Sequence, residues 1–303
     1  MVSLLSACNG DPDQGSGELD LPENIDYVAL GDSFSSGPMI DFQRQDPKGC
    51  GRSTNNYPAY LADWLDVTTY ADRTCAGART VDVEDSQPVI FGGGSAPAQI
   101  DAVSEKTDLV TLGIGANDFN VYGATTMCML QSLQQPCEPG LADAQVASIT
   151  RMRDSLVATI RAVQERAPEA VVVVVGYPRL LPESGTCPAA RVNDHDADQV
   201  RRVWSALNDA VESAANRTNA AYVDLTDASK GHDVCAGADA WVNGADSVTG
   251  QGTAFHPRAV GMRAVASEVY RLLTSKTPPD GDFASPSPSV VVTNEQSPSP
   301  AQP

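Results

Sequence analysis

Positive charge is scarce in this chain: 20 Lys and Arg stand against 39 Asp and Glu over 303 residues, a formal net charge of -19. Binding a polyanion needs clustered basic side chains to neutralise phosphate, so nucleic acid is excluded as a partner. Long apolar runs are missing as well. No stretch approaches the roughly 18 to 20 consecutive apolar residues of a spanning helix, and the folded part is expected to be soluble. No Cys-x-x-Cys pair occurs, and the cysteine spacings do not suit a zinc site. Histidine is rare, with only His195, His232 and His256 available as an imidazole base.

A 42% hydrophobic content supplies a full core, and the length suits one large α/β domain with tails. Short apolar, β-prone segments at 26–31, 67–70, 108–113, 170–176 and 220–225 read as strands. Between the later ones lie helical patterns. Val146, Ile149, Leu156, Ile160 and Val163 recur on one face of a helix from about Ala142 to Ala167, which Pro168 ends. Val200, Val203, Trp204, Leu207 and Val211 mark a second helix from Asp196 to Arg217, and a last one runs from Pro257, early in its first turn, to Leu273. Strands alternating with helices predict a three-layer α/β/α sandwich around a five-stranded parallel sheet, the flavodoxin-like plan. The stretches 34–66, 71–107 and 177–195 are richer in Gly, Pro and polar residues and should shape a cleft at the carboxyl edge of that sheet.

Seven cysteines leave Cys8 alone near the amino end and six in the domain, which permits fifteen pairings. The simplest is sequential, Cys50 with Cys75, Cys128 with Cys137 and Cys187 with Cys235, each closing a local loop. Such bridges imply an extracytoplasmic compartment. Leu5-Ser6-Ala7-Cys8 resembles the bacterial lipobox, so residues 1–8 read as the remnant of a lipoprotein signal peptide and Cys8 as a lipid anchor to the cell envelope. Residues 9–24 then form a flexible tether, 25–275 the folded domain, and 276–303 a Pro/Ser-rich disordered tail.

Leu30-Gly31-Asp32-Ser33-Phe34 puts a hydroxyl at a glycine-flanked bend just past the first strand, where ligands bind in an open α/β sheet. Ser33 is therefore a candidate nucleophile, although a capping or turn role fits the same residues equally well. His256, in Phe255-His256-Pro257, sits at a loop-to-helix junction suited to a general base. His195 lies in a polar helix start, and His232 lies beside Asp233 in a loop near Cys235. Gly77 after the second strand and Asn117 in Gly115-Ala116-Asn117-Asp118 after the third are candidate oxyanion donors; taken singly, a turn glycine and an N-cap describe them better.

Taken in order, the segments around Ser33, Gly77, Asn117 and His256 resemble the four blocks of the SGNH hydrolases, or GDSL esterase/lipase family. The likeness spans residues 26–273, takes in Gly176-Tyr177-Pro178, and is greatest to secreted actinobacterial members, which also carry three sequential disulfides. The resemblance implies a serine esterase or lipase that forms an acyl-enzyme, with no metal or organic cofactor, working as a monomer on small-molecule or lipid esters. Ser33 would attack, His256 would move the proton, and the Ser33 and Gly77 N–H groups with the Asn117 amide would hold the oxyanion. One departure stands out. Many members carry Asp three residues before the histidine, where this chain has Thr253. Some actinobacterial members use a backbone carbonyl there instead, so the resemblance implies a Ser33/His256 dyad with the Thr253 carbonyl accepting the imidazole N–H, unless a loop acid such as Asp246 reaches it. A carbohydrate acetylesterase of the same fold and a catalytically silent binding module are the alternatives.

Overall fold

The computed structural model describes residues 19–90 and 92–279. Cys8, the first part of the expected tether and residues 280–303 of the expected tail lie outside the described residues.

Among the described residues the main sheet has five parallel strands: β1 (Asp26–Gly31), β2 (Thr69–Asp72), β3 (Leu109–Gly113), β4 (Val171–Val175) and β5 (Ala221–Val223), side by side in the order β2-β1-β3-β4-β5. The inner strands are nearly continuous apolar runs because both of their faces are covered. Alternation then divides their side chains. Val28, Leu30, Val110, Leu112, Val172 and Val174 face one side, where helices α4 (Leu141–Arg166) and α5 (Asp194–Thr218) bring Ile149, Leu156, Val203 and Leu207. Tyr27, Ala29, Leu109, Val173 and Val175 face the other, against α2 (Tyr57–Trp64) and α6 (Ala259–Thr274). The result is the three-layer α/β/α sandwich.

Several boundaries differ from expectation. Leu19 and Leu21, placed in a tether by composition, pack against the cluster on the α2/α6 face, which removes their apolar surface from water. The final helix starts at Ala259 with Arg258 as its cap, leaving Pro257 outside it, where it bridges to Val242. Helix α2 lies in a stretch read as loop. It is buried over almost its whole surface, so no polar stripe marks it, while Asn56 caps its start by accepting the Ala59 N–H at 3.0 Å. Helix α3 (Val121–Gln131) was not expected either. Its Thr, Gly and Met positions lack a clean apolar face, and it is bounded by the Cys128–Cys137 bridge.

The bridges Cys50–Cys75, Cys128–Cys137 and Cys187–Cys235 are all present, with sequence separations of 25, 9 and 48. Loop-closure entropy grows with the logarithm of loop length, so losing Cys187–Cys235 by Cys→Ser replacement should destabilise the fold by about 1.5 kcal/mol more than losing Cys128–Cys137. Denaturant midpoints of the two double-serine variants check this; equal or reversed losses would refute it.

The strand order reverses direction of winding between β1 and β3, so the chain leaves Gly31 and Gly113, which pair with each other, toward opposite faces. That switch point opens a crevice at the carboxyl edge of the sheet.

Candidate active site

Ser33 begins the short helix α1 (Ser33–Ser36), directly beyond β1. The bend is tight: a Cβ on Gly31 would lie 2.4 Å from Ser35 Oγ and 2.7 Å from the Gly113 carbonyl, so only glycine fits. Asp32 ties the bend to β3 by donating its N–H to Gly113 O at 2.9 Å, and its carboxylate accepts the Phe34 N–H at 2.8 Å. The Phe34 ring then packs among Tyr177, Trp204, Tyr122 and the His256 imidazole, at centroid distances of 5.1, 5.8, 5.9 and 5.0 Å. The residue after the serine thus fixes the histidine's ring plane.

His256 reaches Ser33 across 223 residues, with Nε2 2.8 Å from Oγ. Its Nδ1 lies 2.8 Å from the Ala254 carbonyl, which can only accept. The proton therefore resides on Nδ1, and the Nε2 lone pair is free to take the Ser33 hydroxyl proton. Burial pushes the imidazole down to about 4, against the opposing pull of the Ala254 carbonyl, so the ring is neutral at pH 7.

The orienting carbonyl expected from Thr253 is instead that of Ala254. The Thr253 oxygen is turned away to accept the Asn243 amide at 3.2 Å and the His256 backbone N–H at 3.3 Å, which leaves the next carbonyl facing the ring. Asp246 does not reach the imidazole. It is exposed and paired with Arg191 at 2.8 Å. Tyr122, which nothing in the sequence singled out, has its hydroxyl 3.1 Å from His256 Nδ1 and 3.2 Å from Ala254 O. It donates to the carbonyl and presents an oxygen lone pair to Nδ1–H. Burial raises its pKa, which keeps the phenol protonated.

Gly77 and Asn117 line the same cavity as Ser33 and His256, an open cleft of about 290 Å³. Neither the Ser33 nor the Gly77 backbone N–H has a protein acceptor among the described residues. Gly77 has φ +79°, a left-handed conformation that suits glycine. Asn117 donates one Nδ2 hydrogen to Ala78 O at 2.9 Å, which fixes the amide and leaves the second hydrogen free. Both of its neighbours are tied down. The Ala116 N–H donates to Tyr177 Oη at 3.0 Å, and the Asp118 carboxylate accepts from Thr80 N and Oγ1 at 2.9 and 2.6 Å. Tyr177 in turn donates to Asp32 at 2.8 Å, so one phenol links the serine turn to the asparagine loop. Burial pushes the Asp32 carboxyl up to about 7, opposed by the Phe34 N–H and the Tyr177 hydroxyl.

The other histidines stand apart. His195 is exposed in the first turn of α5, and His232 stacks on Trp241 with Nδ1 2.7 Å from Asp239 O. Among the described residues no group of three or more His, Cys, Asp or Glu is arranged to hold a metal ion, and no helix is long and apolar enough to cross a membrane.

A neutral imidazole against a serine hydroxyl, with backbone and amide donors on the same cleft, is the equipment of an acyl hydrolase. Residues 29–264 match the GDSL-like lipase/acylhydrolase family, and the chain belongs to that family as a carboxylic ester hydrolase. It is similar to Lipase 2 of Streptomyces coelicolor, with 36% identity over 82% of this chain and 86% of that protein. It is also similar to a lipase of Streptomyces rimosus, with 32% identity over 78% and 82%. Among solved structures, a phospholipase A1 from Streptomyces albidoflavus superposes with a TM-score of 0.66 at 29% identity, covering 84% of this chain and 100% of that one. An extracellular lipase from Streptomyces rimosus gives 0.64 at 30%, with the same coverage.

Proposed function

We propose that the protein cleaves acyl esters through a Ser33/His256 dyad and a covalent acyl-enzyme. Ser33 Oγ bonds to the ester carbonyl carbon while its proton passes to His256 Nε2. The carbonyl oxygen, now negative, is held by the Ser33 N–H, the Gly77 N–H and the free Asn117 Nδ2 hydrogen. Collapse breaks the bond to the alcohol, which leaves with the proton from Nε2. Water then enters by the same route in reverse and frees the acid. While His256 carries two protons, the Ala254 carbonyl and the Tyr122 oxygen hold the charged Nδ1–H in place of a carboxylate. The observation that carries this reading is the 2.8 Å Oγ–Nε2 contact to a ring whose other nitrogen is fixed as a donor.

Relatives that are lipases, and a neighbour that is a phospholipase A1, favour acyl lipids as the substrate class. The disulfides favour work outside the cytoplasm, and the lipobox-like Cys8 favours attachment at the envelope. The working unit is read as a single chain whose catalytic domain takes in Leu19 and Leu21, packed on its core, ahead of residues 25–275.

A fluorophosphonate tests the dyad. Intact-mass and peptide analysis should find one phosphonyl group on Ser33, and labelling should be abolished by acid with a final midpoint near pH 4, below the titration of Asp32 near 7. The sign follows from the base: the competent imidazole is neutral, burial lowers its pKa, and activity is lost as acid protonates it. Labelling elsewhere would remove Ser33 from its role, and a final midpoint near the ordinary 6.5 would mean that His256 is not held dry.

A further inference from the structure

We infer that Ile90 forms the acyl-side wall of the cleft and selects esters of aliphatic acids longer than acetate; this rests on the acyl-enzyme reading above. Ile90 is a large aliphatic side chain left 60% exposed, yet it lines the cleft that holds Ser33 and His256. It lies flat on the oxyanion glycine, since a Cβ on Gly77 would stand 2.5 Å from Ile90 Cδ1 and 3.1 Å from Cγ1. Gly77 is thus constrained twice, by its φ and by the isoleucine stacked on it.

The position of Ile90 is held from its base. Val89 donates its N–H to Gly94 O at 3.2 Å and packs beside the Cys50–Cys75 bridge and Ala96, while Gln87 Nε2 donates to Ala76 O at 3.2 Å. The same bridge therefore fixes both the segment entering Gly77 and the segment presenting Ile90.

The reaction assigns the two sides of the cleft. The departing alcohol oxygen must take its proton from His256 Nε2, so the alcohol lies toward the His256 loop with Ser247, Thr253 and Ala254. The oxyanion is directed to the N–H donors. What remains for the acyl chain is the apolar wall built by Pro38, Ala76 and Ile90 from the segments that carry Ser33 and Gly77. A cleft of about 290 Å³ is larger than an acetyl group fills. An alkyl chain lying along that wall covers the exposed face of Ile90, a gain that acetate cannot make.

The test is kcat/KM for p-nitrophenyl acetate and octanoate on the wild type and on Ile90→Ala, Ile90→Asp and Ile90→Leu. The octanoate-to-acetate ratio should fall about tenfold in Ile90→Ala and further in Ile90→Asp, and Ile90→Leu should restore it. A purely structural role would lower both esters together. Ratios within twofold of wild type in all three variants, in proteins whose Ser33 still takes up fluorophosphonate, would overturn the assignment of Ile90. Absence of label on wild-type Ser33 would overturn the acyl-enzyme reading and Ile90's role with it, so the two failures are told apart by the label.

Discussion

Replacing Ser33 or His256 by alanine should lower kcat on a soluble acyl ester by on the order of 10⁶-fold, and replacing both should lower it no further. On the proposed mechanism the two side chains act as one unit. Without His256 the hydroxyl has no base within reach, because His195 and His232 belong to other parts of the surface and Asp246 is paired with Arg191. Without Ser33 the imidazole retains its 2.8 Å bond to Ala254 but has no oxygen to activate. The residual rate in each variant should come from the oxyanion donors and from binding alone, so that the losses should not add. Steady-state kinetics on the two single variants and the double variant, with thermal melts to confirm that all are folded, measure this directly. A double variant a thousandfold slower than either single one would mean that the groups act independently, and a His256→Ala variant within a hundredfold of wild type would point to another base.

The parts of this site that were legible in the sequence are those built from local grammar. Gly31-Asp32-Ser33 and Gly115-Ala116-Asn117 each follow an apolar run that is buried on both faces, so strand, break and candidate residue fall within a few positions. The flavodoxin-like order follows from the same alternation of strands and helices. What was not legible depends on distance. Tyr122 meets a histidine 134 residues later, and Tyr177 joins Asp32 across 145, contacts that leave no periodic signal on either segment. The choice of Ala254 over Thr253 is subtler, since any residue has a carbonyl. It was decided by Asn243, whose amide takes the Thr253 oxygen, and by the turn through Phe255 at φ +55°. Helix α2 was hidden for the opposite reason, a surface so thoroughly buried that it shows no stripe.

Asn117→Ala should reduce kcat by about 10²- to 10³-fold with KM little changed, corresponding to ~2.7 to 4 kcal/mol of lost transition-state stabilisation. The amide's two hydrogens do different work. One is spent on Ala78 O at 2.9 Å and orients the group; on the proposed mechanism the other meets the substrate oxygen only once that oxygen becomes negative. A ground-state carbonyl gains little from it, so binding is spared while turnover falls. The lost bond to Ala78 costs ~1 kcal/mol of stability, too little to unfold the protein. Asn117→Asp separates position from charge, because an aspartate of the same shape replaces the donors with a negative carboxylate beside the developing oxyanion. It should be at least as slow as Asn117→Ala, with the deficit again in kcat. If KM rises while kcat holds in both variants, the amide binds substrate rather than the transition state. If kcat holds and KM does not move, the oxyanion is carried by the Ser33 and Gly77 N–H groups alone. Because Tyr177 and Thr80 clamp the residues on either side of Asn117, neither variant has slack with which to bring another donor into the vacated place.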